Sequence, residues 1–329
     1  MKREIYLDNI CGLLIINMIF FVHLPYWTNY HPWWNEAIAQ TLSFFMFWFF
    51  FKGGMMFRSK PIVDSIKIGF KRLIIPYIIF TIIGVFWELY IAVRTGSFGK
   101  SWIYNEILTI YDHECCWTSL ACWFLLSLFF VRVLFQTLYK CSLQPLYIAI
   151  FSLLLASLIC FIHKDDSLTF PFKPPYYFGN IFMGLVFYSL GYKMKEFQFE
   201  KSLFIIALGI FLLKFFIPSN IDFRSNNYSG YYYLAVLYSL AGCIVINNIF
   251  RIIANHRLIL LTNIGRISMV YYLVHYPAAK IFQDSNYSFL SSISDNNKFY
   301  IIALYLIIVF CFAEIIYKHI KRIRFVFGG

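Results

Sequence analysis

The chain has 329 residues, of which 60% are hydrophobic, 22% aromatic and only 13% charged, with a formal net charge of +12 and a mean hydropathy of +0.67. An ordinary globular domain is roughly half apolar and about a quarter charged, so this chain has too little polar surface to cover itself in water and reads as an all-α integral membrane protein. The positive charge is spread over many short loops without a recognition motif, which excludes a nucleic-acid partner and points to the orientation of membrane spans.

The opening MKRE is followed by an apolar run without a small-residue cleavage site, so a retained first span is expected and not a removed leader. A span needs about 20 mainly apolar residues. Windows of that kind fall at 6–27, 37–57, 70–92, 119–139, 145–163, 177–194, 202–218, 230–250, 258–281 and 299–318, a polytopic bundle of about ten helices. Between them stand GFKR, KDDSLTFPFKPP, PSNIDFRSNNYSG and QDSNYS, rich in the residues that break helices. No internal repeat and no long hydrophilic stretch is present, so residues 1–329 are expected to form a single transmembrane domain.

Orientation follows from Lys and Arg. With the N-terminus inside, Lys2, Arg3, Arg58, Lys60, Lys67, Arg251 and Arg257 fall in cytoplasmic segments. Arg94, Lys100, Lys164 and Lys173 are among the fewer cations on the other side. That bias places both termini in the cytoplasm.

The first span carries Asp8, Asn17 and His23, where Leu, Ile and Phe would have made a plain anchor. Ionisable groups inside spans are costly and mark sites. At a rise of about 1.5 Å per residue, His23, Glu88 and His275 all lie about 22–24 Å along outward-running spans. Two imidazoles and a carboxylate in one layer can form a general base with its orienting group. Lys52 and Arg266 lie about 9–12 Å from the cytoplasmic face, a basic layer beneath the acid–base layer. Plainer roles exist for each: an interfacial hydrogen bond for a lone His, snorkelling for Lys52, a bridge between helices for Asn17. Most of the eight cysteines lie in apolar stretches, and none has CxxC spacing, so no zinc, haem or disulfide framework is expected.

Several segments, in shared order, resemble the membrane-bound acyltransferase-3 family, the bacterial enzymes that O-acylate surface polysaccharides. YLDNICGLLIINMIFFVH resembles the family's first helix and FFMFWFFFKGGMMFR its second. KRLIIPY matches the opening of its third, CWFLLSLFF resembles its Trp-Phe-Leu helix, and IGRISMVYYLVHYP matches its late Tyr-Leu-x-His segment. The chain departs from the family in four places. Cys11 stands where Arg or Lys is usual, His23 comes one residue late, Cys122 replaces a His that often precedes Trp-Phe-Leu, and Lys52 replaces a Ser.

The resemblance implies an O-acyltransferase of the inner, cytoplasmic membrane. It would use acyl-CoA, most simply acetyl-CoA, as co-substrate, with no permanently bound cofactor, and a glycan or lipid-linked sugar as acceptor. His23 would be base or covalent carrier, assisted by Glu88 or His275. Lys52, Lys71, Arg72 and Arg266 would meet the CoA phosphates, and Asn17, Trp123 and Tyr272 would line the substrate. A transporter or flippase for a glycan, lipid or organic acid is the rival reading, although paired repeats with broken helices are missing.

Overall fold

The computed structural model describes residues 4–164, 174–195, 201–225, 227–253 and 258–328; Lys2, Arg3, Lys173 and Arg257, used above for orientation, lie outside them. The described residues are 82% helical with almost no sheet. The first apolar run is a helix in three registers: α1 (Ile5–Ile16), a π-helical stretch (Asn17–His23) and α2 (Leu24–Thr28). Then come α3 (Trp33–Thr41), α4 (Phe45–Met55) and α5 (Ile62–Gly69). A second π-helical stretch (Phe70–Ile74) leads into α6 (Ile75–Thr95), which Gly96 ends in the left-handed conformation at φ 72°, the usual glycine stop. Next are α7 (Lys100–His113), a 3-10 turn (Trp117–Cys122), α8 (Trp123–Lys140) and α9 (Pro145–Lys164). They are followed by α10 (Tyr176–Met194) and α11 (Lys201–Leu213).

A small antiparallel hairpin, β1 (Asn220–Asp222) and β2 (Asn227–Ser229), pairs Asn220 with Ser229. The chain closes with α12 (Tyr232–Ile252), α13 (Ile259–Arg266), α14 (Ser268–Ser285), α15 (Tyr287–Ser291), α16 (Asp295–His319) and a 3-10 turn (Lys321–Phe327).

Among the described residues, 6 helical stretches are long and apolar enough to cross a membrane: Ile5–Thr28, Ile62–Thr95, Lys100–Lys140, Pro145–Lys164, Tyr232–Ile252 and Asp295–His319. This is a multi-pass membrane protein. Of the remaining expected spans, residues 177–194 form the single helix α10 (Tyr176–Met194), which is not among these 6, and the other three take other forms. Residues 37–57 are divided between α3 and α4. Residues 258–281 break at Ile267 (φ −116°, ψ 24°) into α13 and α14. The 13 described residues of α11 rise about 20 Å, against a hydrocarbon core of about 30 Å. The loop expected after residue 92 instead contains α7.

The chain divides into two compact units, one of residues 1–42, 74–122 and 257–329 and the other of 43–73 and 123–256. In the first unit α1 packs on α13, and their backbones nearly touch. A Cβ on Gly265 would stand 1.8 Å from Asp8 O, and one on Gly12 2.2 Å from Leu261 O. Small residues at a crossing let main chains approach where lipid offers no hydrophobic drive. Thr262 Oγ1 donates to Asn9 Oδ1 at 2.6 Å across this crossing. Elsewhere in the unit α14 packs against α16, α6 and the Trp117–Cys122 turn. Trp87 Nε1 donates to Asp284 Oδ2 at 3.0 Å, and Tyr271 Oη donates to Glu314 Oε2 at 2.7 Å.

In the second unit α10 packs against α4, α8 and α9. An aromatic core fills the space around them. Phe47 and Phe187 have centroids 4.7 Å apart, and Phe50 stacks on Phe223 at 5.1 Å. Each such pair contributes about 0.5–1.5 kcal/mol beyond simple burial, which accounts for the Phe-rich composition of α4.

Candidate active site

His23 closes the π-helical stretch and His275 sits in the middle of α14. Both belong to the first unit. His23 Nδ1 lies 2.9 Å from His275 Nε2, with the rings nearly parallel at 4° and their centroids 5.1 Å apart. His275 is fully buried, and its Nδ1 lies 2.6 Å from the carbonyl oxygen of Tyr272. A carbonyl only accepts, so Nδ1 of His275 carries the hydrogen. A neutral imidazole has one N–H, so His275 Nε2 is the acceptor and His23 Nδ1 donates to it. The lone pair of His23 is thereby assigned to Nε2. When Nε2 takes up a proton, the hydrogen bond to His275 becomes charge-assisted, about twice as strong as a neutral one. The arrangement is a base with its orienting partner.

Aromatic rings wall this pair. Trp27 stands 5.6 Å from His23 and Tyr276 meets it edge-on at 5.7 Å, with Trp27 and Tyr276 themselves 5.2 Å apart. Gln283 Nε2 holds the α2 end by donating to Trp27 O at 3.0 Å. Sequence reasoning missed both walls. The signals were present: Trp27 is four residues past His23, one helical turn, and Tyr276 is the neighbour of His275.

The π-helical stretch also explains a departure noted in the sequence. A π-bulge carries one extra residue in a helix and is frequent at functional sites. His23 comes one residue later than the family pattern, and the π-helical register absorbs that residue. The carbonyl of Phe21, within the stretch, accepts from Asn35 Nδ2 at 2.8 Å. Asn17 begins the stretch, fully buried, with neither Oδ1 nor Nδ2 hydrogen-bonded. Leaving a buried amide unpaired costs about 1–3 kcal/mol or more, and such a group is available to a ligand.

Other expected site residues lie elsewhere. The layer of two His and one Glu resolves into a His–His pair and a separate acidic cluster. Glu88 accepts a hydrogen bond from Thr118 N–H and has its carboxylate beside Glu106 and Cys116. The reason is local: the Trp117–Cys122 turn packs on α6 and supplies a backbone donor at Glu88. Tyr272 is 5% exposed, and its hydroxyl donates to Ala121 O, so it staples α14 to that turn and is not an open substrate wall. Trp123 is 6% exposed and packs on Phe124 and Phe223, with centroids 6.0 and 5.7 Å away. It belongs to the aromatic core of the second unit.

Among the expected basic residues, Arg266 Nε stands 3.7 Å from Asp8 Oδ2, with the Arg side chain 40% and the Asp 6% exposed. The cation that the family pattern places at position 11 comes here from α13, and Cys11 is a buried apolar neighbour. Lys52 is half-buried, its Nζ 5.4 Å from the centre of the Trp48 ring, a cation–π contact. Lys71 and Arg72 are exposed in the Phe70–Ile74 turn. Lys52, Lys71 and Arg72 belong to the second unit and Arg266 to the first.

Searches among curated proteins and among solved structures return no match. A family model described as an acyltransferase domain matches residues 4–318, nearly the whole chain, including the His23 and His275 segments and the α1–α13 crossing. The protein is therefore a membrane acyltransferase, and the chain belongs to the acyltransferase-3 family.

Proposed function

We propose that the protein moves an acyl group, most simply acetyl, from cytoplasmic acyl-CoA to a hydroxyl of a cell-surface or lipid-linked glycan. The observation that supports this reading best is the His23–His275 pair, with its tautomers set by the Tyr272 carbonyl, in a chain of an acyltransferase family. His23 Nε2 removes the hydroxyl proton as the oxygen attacks the thioester carbonyl. The C–S bond then breaks, the CoA sulfur takes the proton from His23, and the ester and free CoA leave. General-base assistance of this kind contributes about 10²–10⁴-fold.

His275 keeps the His23 ring oriented and accepts its Nδ1–H while the imidazolium exists. Asn17 offers an unpaired amide to the substrate, and the Trp27 and Tyr276 rings give a sugar apolar faces to lie against. Within the first unit, Arg266 meets CoA phosphates with guanidinium N–H groups beyond the Nε that faces Asp8. With Lys and Arg biased to one side, the enzyme sits in the cytoplasmic membrane with both termini inside.

The test is acyl transfer in proteoliposomes with acetyl-CoA, read as CoA thiol released, together with NMR of O-acetyl groups on surface glycan from cells with and without the gene. His23→Ala should abolish both signals in a normally inserted protein. Full activity in that variant would remove His23 from the chemistry. Failure of the wild type to bind any CoA compound at millimolar concentration would overturn the donor assignment.

A further inference from the structure

We propose that Glu88, Glu106 and Cys116 bind one divalent transition-metal ion of the zinc class, in a site that ties α6 and α7 to the loop leading into the Trp117–Cys122 turn. One oxygen of each carboxylate and the Cys116 sulfur all lie within 4.8 Å of one another. Around tetrahedral zinc, with Zn–O near 2.1 Å and Zn–S near 2.3 Å, ligand atoms stand about 3.4–3.6 Å apart. Side-chain adjustments of about 1 Å therefore close the site.

Separate observations call for a cation there. Glu106 is more than nine-tenths buried, yet its Oε1 has no hydrogen-bond partner. Thr118, fully buried, has an unpaired hydroxyl on the residue whose N–H holds Glu88. Among the described residues no Lys, Arg or His pairs with either carboxylate. Two carboxyl groups this close in a low-dielectric setting need either a shared proton or a cation between them.

The donor set selects the ion. Magnesium and calcium take oxygen ligands alone, whereas zinc accepts carboxylate and thiolate together. Three protein ligands leave a fourth position for water. Binding releases the Cys116 thiol proton to solvent. Ser119 Oγ, 3.0 Å from the Cys116 sulfur, then donates to the thiolate, and Thr118 N–H orients Glu88, the outer-shell support that metal sites use. The spacing rules that argued against zinc in the sequence look for ligands close together along one segment. Here they come from two helices and the loop that leads into the Trp117–Cys122 turn. The turn also carries Ala121, whose carbonyl receives the Tyr272 hydroxyl, so the ion would brace the element on which the His275 helix leans.

The test reads metal and not activity. Full-length protein purified in detergent is analysed for metal by mass spectrometry, then stripped and titrated with Co²⁺ while the thiolate-to-cobalt charge-transfer absorption is recorded. The wild type should take up about one ion per chain with that band. Cys116→Ser should lose the band, Glu106→Gln should bind weakly, and Ser119→Ala should lose about 10–100-fold in affinity. Cys311→Ser, on α16, should bind like the wild type. If the wild type takes up no metal, the site is instead a carboxyl pair sharing a proton; if Cys116→Ser binds as well as the wild type, Cys116 is not a ligand and the assigned site is overturned. Should Cys116→Ser fail to insert, the wild-type titration and Glu106→Gln decide. Failure here leaves the His23 chemistry untouched, because none of the three ligands touches the imidazole pair.

Discussion

At His23 the chemistry turns on which ring nitrogen holds the lone pair, and the Tyr272 carbonyl decides it through His275. A buried acceptor at 2.6 Å fixes one hydrogen, and the remaining tautomers follow in sequence. This makes His275 a positioning residue, and its substitution separates orientation from proton transfer. His275→Ala should lower the transfer rate by about 10²-fold or more with little change in KM for acyl-CoA. His275→Gln retains an amide oxygen that can accept from His23 Nδ1–H and should recover part of the loss. Initial rates in proteoliposomes check this. Equal rates for wild type and Ala would make the pair a packing contact.

Among helices, the π-helical stretch Asn17–His23 decides which way His23 faces. One added residue in a regular α-helix rotates everything beyond it by about 100°; accommodated as a π-bulge, it leaves the following side chains in register. Deleting Val22 should therefore let the stretch relax to α-helix and keep the histidine opposite His275, with substantial transfer activity. Deleting Leu13 instead turns the buried Leu14 and Ile15 out of their packing before the bulge can restore the register, so it should disturb the bundle and abolish activity. Transfer assays on both deletions, with insertion checked by protein level, test the idea. If the Val22 deletion is as inactive as the Leu13 deletion in a normally inserted protein, the stretch is more than a register device.

For the whole molecule, the open assignment is orientation, and the cysteines provide a probe. Cys141 is exposed just past the end of α8, on the side that the Lys and Arg bias makes cytoplasmic. Cys11, Cys115, Cys116, Cys122, Cys160 and Cys243 are buried, and Cys311 lies on the apolar helix α16. A membrane-impermeant maleimide should therefore label the protein in inside-out vesicles and leave it unlabelled in intact cells, with Cys141→Ser removing the signal. Labelling of Cys141 in intact cells would reverse the orientation and place the termini outside.

Composition alone determined the environment, because a chain that is 60% hydrophobic and 13% charged cannot clothe itself in water. The order of a few short segments determined the family, and the cost of placing His23 and His275 in apolar helices singled both out before any coordinate. Depth along a span was also legible, since rise per residue is nearly constant, but azimuth was not. Glu88 shares the depth of the two histidines, yet it turns towards Thr118, Glu106 and Cys116. The cation for Asp8 likewise arrives from Arg266, far away in the chain, where the sequence pattern looked three residues ahead to Cys11. Tyr272 and Trp123 are aromatic residues whose roles depend on which neighbours close over them. Which groups face one another is a matter of helix rotation, crossing distance and bulges, and those are decided by side chains on elements that meet only when the bundle is assembled.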